Sequence, residues 1–120
     1  MKIAVCATSD HEEAQASSRY ARSDYFAIYD TDTKAYEFLE NEAKRESSGA
    51  ANKATKILGD RGASVLLAPK VGPKAFEMLD AFDIDVYQYD AAMTVNAALE
   101  SYFEERLLKI TAASKEGHAS

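Results

Sequence analysis

The sequence predicts one α/β domain: a mixed five-stranded sheet with an antiparallel hairpin on one side and helices packed on its faces. Three observations predict it. Ile3-Ala4-Val5-Cys6-Ala7 is a continuous apolar run, which suits a central strand covered on both faces. Ser64-Val65-Leu66-Leu67-Ala68 is a second such run, and the segment Val71-Gly72-Pro73 that follows turns a buried strand into a helix through a very short loop. Ile84 to Tyr89 then alternates in the manner of a half-covered strand, and a strand–helix–strand unit of this kind crosses over right-handedly to give parallel pairing.

Between these anchors the other elements follow in order. Residues 8 to 24 form a long polar loop, of the kind that is often functional or mobile. Tyr25-Phe26-Ala27-Ile28-Tyr29-Asp30 and Ala35-Tyr36-Glu37-Phe38-Leu39-Glu40 are β-prone and joined by Thr31-Asp32-Thr33-Lys34, an antiparallel hairpin. A polar connection, Asn41 to Ser48, leads to a helix that Ser47 or Ser48 can cap and Gly62 can end, with Ala54, Ile57 and Leu58 facing inward. Gly72 can cap the next helix, from about 72 to 81, and Pro73 can start it, because the missing N–H of proline is unpaired there anyway. The last helix begins near Thr94 and keeps a 3.6-residue apolar repeat through Val95, Ala98, Leu99, Tyr102, Phe103, Leu107 and Ile110. The domain thus covers residues 1–112, and the tail at 113–120, without apolar anchors, is expected to fray.

Composition narrows the function. At 120 residues the chain is long enough for one real core and too short for two. Its formal net charge of -6 argues against nucleic acid as a partner, because that needs a basic face. The single cysteine, Cys6, excludes an internal disulfide framework and a closed four-cysteine zinc site within one chain. No apolar run has the form of a signal-peptide core or the length of a membrane span, so a soluble cytoplasmic protein without a membrane partner is expected.

The order of elements, with Lys2-Ile3-Ala4-Val5, the strand at 25–30, Gly72-Pro73-Lys74-Ala75-Phe76-Glu77 and Thr94-Val95-Asn96-Ala97-Ala98-Leu99, resembles the dinitrogenase iron–molybdenum cofactor biosynthesis family over roughly residues 1 to 108. That family includes small cofactor carriers of nitrogenase assembly. The resemblance implies a ribonuclease-H-like fold, an iron–molybdenum or other metal–sulfur cluster or its precursor as cargo, no enzymatic activity, and metal–sulfur assembly proteins as partners. Where the family commonly has His-Phe-Gly-Arg before its second strand, this chain has Arg19-Tyr20-Ala21-Arg22, and Ser47-Ser48-Gly49-Ala50-Ala51 replaces a glycine-rich entry to the first helix. Pro69-Lys70 stands where the family often has Gly-Asn.

The candidate site residues follow from these comparisons and from chemistry. Cys6, near the carboxyl end of the first strand, offers a thiolate for a soft metal or a cluster edge; the competing reading is a small buried hydrophobe. Arg19, Arg22 and Lys70, with the helix N-terminus at Ser48-Gly49, could cradle an anionic cluster at one end of the sheet. His11 and His118 lack the spacing of a metal motif, and Asp10, Glu12 and Glu13 read as a solvated acidic loop. A nuclease of this fold class needs an acid in the first strand, which Ile3–Ala7 lacks. The expectation is a non-enzymatic cluster-binding domain; the alternative is an interaction or regulatory domain that keeps the scaffold and carries no cofactor.

Overall fold

The computed structural model describes residues 1–90 and 92–111. In chain order they form β1 (Lys2–Ala7), β2 (Tyr25–Asp30), β3 (Ala35–Glu40), a 3₁₀ turn (Glu42–Arg45), α1 (Ala50–Asp60), β4 (Ala63–Ala68), α2 (Pro73–Ala81), β5 (Asp85–Gln88), α3 (Val95–Phe103) and β6 (Leu108–Ile110). All the strands belong to one sheet, ordered β3-β2-β1-β4-β5-β6. The expected tail at 113–120, with His118, lies outside the described residues.

β1 is central, as its apolar run requires: it pairs antiparallel with β2 and parallel with β4, and Ile3 to Ala7 are all 0% exposed. Alternation along the strands divides the core into two layers. Ala4, Cys6, Phe26, Ile28, Leu66 and Val86 share one apolar cluster with Ala54 and Leu58 of α1 and Leu79 of α2. Ile3, Val5, Ala27, Val65 and Leu67 share the other with Val95, Ala98 and Leu99 of α3. Each fully buried Val, Leu or Ile contributes about 1.5–3 kcal/mol, so these two layers dominate the stabilisation.

The helix ends are mostly those expected. Gly72 is the N-cap of α2 with Pro73 first in the helix, and Gly62, at φ 76°, turns the chain out of α1. The Thr94 hydroxyl accepts from the Ala97 amide at 3.0 Å at the start of α3. The N-cap of α1, however, is Gly49 at φ 74° rather than Ser47 or Ser48, and no side chain caps it. A left-handed cap of this kind is where glycine is at ease and serine is not.

The sheet has six strands, not the five expected. The apolar repeat through Leu107 and Ile110 reads as a continued helix, but α3 stops at Phe103 and the chain reverses through Glu105, at φ 58°. Residues 108–110 then pair antiparallel with β5, Val86 opposite Ile110 and Gln88 opposite Leu108. Over so few residues a helical and a two-residue repeat both accommodate Ile110, and the unpaired backbone groups along β5 decide between them.

Candidate functional site

The site is defined by strand direction. β1, β4 and β5 are parallel, and β3 runs the same way because both it and β1 are antiparallel to β2. The connections at 8–24, 41–49 and 69–72, with residues 89–90 and 92–94, therefore gather at one end of the sheet, and α1, α2 and α3 all begin there. In open α/β sheets this carboxyl rim is where ligands bind.

The loop at 8–24, expected to be long and polar, is strapped across the rim by buried polar groups. The Ser17 amide donates to the Cys6 carbonyl at 2.8 Å, and the Tyr89 hydroxyl donates to the Ser17 carbonyl. Asn41, 0% exposed, donates through Nδ2 to the carbonyls of Ala21 at 2.9 Å and Ser23 at 2.8 Å. Its Oδ1 accepts from the Ala43 amide, which starts the 3₁₀ turn. Ser23 Oγ donates to the Ala7 and Tyr25 carbonyls, and Tyr20 is buried with its hydroxyl 2.8 Å from Thr55 Oγ1 on α1. The first half of the loop joins α3 instead: the Val95 amide donates to the Ala14 carbonyl and the Asn96 amide to that of Glu12.

This routing separates charge. Glu12 and Glu13 lie on the α3 side, close enough to Tyr36 that, after burial, they help push its phenol up to about 12. Asp24 is neutralised by Lys44 at 3.0 Å. The segment carrying Arg19 and Arg22 crosses to the layer beneath α1, whose cluster holds Tyr20. Arg19, Arg22, Lys70 and Lys74 enter no ion pair among the described residues, whereas Lys56, Arg61, Arg106 and Lys109 are each paired with a carboxylate. α1 and α2 start without a side-chain cap and without an acidic residue in the first turn, so their free N–H groups add partial positive charge at the same rim.

The predicted site residues fare differently. Arg19, Ser48, Gly49 and Lys70 are exposed on rim connections, where a ligand could meet them. Arg22 is exposed too, but its Nη1 donates to the Lys44 carbonyl at 2.8 Å and ties the loop to the 3₁₀ turn. Cys6 is 0% exposed beneath the loop, and burial pushes its thiol pKa far up, opposed in part by the neighbouring Tyr89 hydroxyl. As folded, burial disfavours the thiolate that a metal or an electrophile would meet. His11 is exposed, and no cluster of His, Cys, Asp or Glu suited to a metal ion occurs among the described residues. The unpaired cations and free N–H groups of this rim suit an anion.

Sequence reasoning missed Asn41, Tyr89, Ser17 and Thr55. Asn41 was visible in principle, since an Asn just after a strand and before an Ala-Lys segment is a cap signal. Tyr89 and Ser17 carry no local signal, because their partners lie 72 residues apart in the chain.

Residues 1–105 match the family described as dinitrogenase iron-molybdenum cofactor. The fold is similar to that of the apo form of the orange protein from Desulfovibrio gigas, with 32% identity, a TM-score of 0.88 and 92% of each chain covered. It is also similar to the solution structure of a Thermotoga protein provisionally called a NifB protein of the DUF35 family, with 32% identity, a TM-score of 0.82, and 92% of this chain and 94% of that one covered. An uncharacterised protein of Methanocaldococcus jannaschii is 23% identical over 96 residues, 78% of this chain and 80% of its own.

Proposed function

The chain belongs to the dinitrogenase iron-molybdenum cofactor family, and on that premise we propose that it is a small non-enzymatic carrier, on a ribonuclease-H-like scaffold, of an anionic iron–molybdenum or other metal–sulfur cluster or its precursor. The observation that carries the reading is the rim: Arg19, Lys70 and Lys74 without ion pairs among the described residues, beside the uncapped N-termini of α1 and α2. Guanidinium, ammonium and backbone N–H groups complement sulfide and oxide edges without covalent ligation, which suits cargo that must later be released. A relative known in an apo form has, by that description, a group it can carry.

A carrier needs no reactive side chain, and the sealed, protonated Cys6 fits that role better than a catalytic one. Metal–sulfur assembly proteins are the partners such a carrier would serve, in the cytoplasm. No helix among the described residues is long and apolar enough to cross a membrane. Two features favour the second reading, an interaction domain without cargo: Arg22 is committed to the Lys44 carbonyl, and Cys6 is out of reach. Anaerobic reconstitution with iron, sulfide and molybdate or thiomolybdate separates the two. The carrier reading expects stoichiometric metal and visible absorption; retention of neither selects the second reading.

A further inference from the structure

α3 starts at the rim, where Thr94 bridges to Gln15, and its last turn packs beside Tyr87 and the chain's first residue. There Met1, Tyr87, Tyr102, Phe103, Glu105 and Leu107 line a hollow of about 500 Å³. Large apolar side chains are exposed at few places, yet Phe103, at 51%, and Met1 both line this hollow, and exposed Leu108 follows it directly. The rings turn steeply against one another: Tyr87 and Tyr102 meet at 4.9 Å between centroids and 78° between planes, Tyr102 and Phe103 at 5.6 Å and 59°. Half of the lining residues are thus aromatic, with π surface facing in more than one direction.

Glu105 is the charged side chain of that lining, and it enters no ion pair among the described residues. It also breaks two local preferences at once. The residue sits at φ 58°, in the turn where the Arg106 amide donates to the Ser101 carbonyl at 2.9 Å, a left-handed helix-end position that glycine or asparagine normally takes. It places a carboxylate at the negative end of the α3 dipole, where a cation is preferred. Asp83 after α2 shows the same left-handed φ and the same placement of a carboxylate at a helix end; Glu105 differs in standing on the edge of an exposed aromatic hollow.

We infer that this hollow is a docking site for a basic segment of a partner protein, with an arginine or lysine side chain entering among the rings against Glu105. A cation over aromatic faces is attracted by the ring quadrupole, and an unpaired carboxylate beside them supplies the complementary charge. A second copy would present the same lining, in which the Met1 ammonium is already paired with Asp32, so this patch offers Glu105 no unpaired cation. The inference is independent of what the rim carries.

The test is an NMR titration of the ¹⁵N-labelled full chain with a blocked Gly-Leu-Arg-Leu-Gly peptide, alongside the same peptide with neutral citrulline in place of arginine. Saturable amide shifts confined to Tyr87 and residues 101–108, at least tenfold weaker with citrulline, are expected. Glu105→Gly should raise the thermal unfolding midpoint and still weaken the arginine peptide at least tenfold, an outcome that no folding defect can imitate. Absence of saturable binding, shifts centred elsewhere, or undiminished binding by Glu105→Gly or Glu105→Gln would overturn the inference.

Discussion

Tyr20 Oη lies 2.8 Å from Thr55 Oγ1, a buried hydroxyl pair that joins the rim loop to α1 across 35 residues of sequence. Thr55 Oγ1 also donates to the Ala51 carbonyl at 2.8 Å, so Tyr20 is the donor in the pair and Thr55 stays satisfied if it is removed. Tyr20→Phe should therefore cost only the net worth of one hydrogen bond, about 1 kcal/mol in urea unfolding. Thr55→Val strands the phenol in an apolar layer and should cost more, about 2 kcal/mol. Equal losses for the two variants would mean that the donor assignment is wrong.

Asn41 holds more with less. Asn41→Ala removes both donors to the Ala21 and Ser23 carbonyls together with the acceptor for the Ala43 amide, all in buried or part-buried surroundings. The expected loss is roughly 2–3 kcal/mol, with faster amide hydrogen exchange at residues 17–23 and 41–45. A loss below the range of an ordinary surface substitution would show that the loop is not anchored there.

Cys6 gives a pH signature. Burial raises the pKa values of the Cys6 thiol and of the Tyr20 and Tyr89 phenols above the ordinary 9.0 and 10.0; Tyr89 partly offsets the rise at the thiol and Thr55 at Tyr20, while Cys6 adds to it at both phenols. The sign follows: below those values both folded and unfolded states hold the protons, and above them only the unfolded state readily releases them. Stability is thus full at neutral pH and falls as pH climbs past about 9, and Cys6→Ala should soften the first part of that fall. In parallel, an aromatic disulfide reagent at pH 8 should label Cys6 only as fast as the chain opens, and at once in denaturant. Rapid labelling of the native protein would contradict the sealed thiol.

Much of the scaffold was legible in the residues because its signals are local. The apolar runs at 3–7 and 64–68 declare buried strands, and Gly72-Pro73 declares a helix start by backbone chemistry alone. β6 was not legible, because Leu107 and Ile110 satisfy a helical repeat and only the open edge of β5 makes a strand of them. The start of α1 was misread for a related reason: Ser47 and Ser48 have cap chemistry, but the left-handed turn at Gly49 puts the helix start one residue beyond them. The rim cations were visible as residue types, and their proximity to one end was expected from strand order. Their lack of ion pairs depends on where each carboxylate folds, and the anchors Asn41 and Tyr89 depend on contacts far apart in the chain.

The measurement that bears most directly on the carrier reading compares metal retention by the parent chain, Arg19→Ala/Lys70→Ala and Cys6→Ala after anaerobic reconstitution with iron, sulfide and thiomolybdate. Arg19 and Lys70 are exposed, so the double variant should unfold at the parent's temperature and yet lose at least tenfold in cluster affinity, with a steeper loss at higher salt. Cys6→Ala should retain the cluster as the parent does. Retention that survives the double variant but disappears with Cys6→Ala would contradict the electrostatic cradle and return the thiol to the centre of the site.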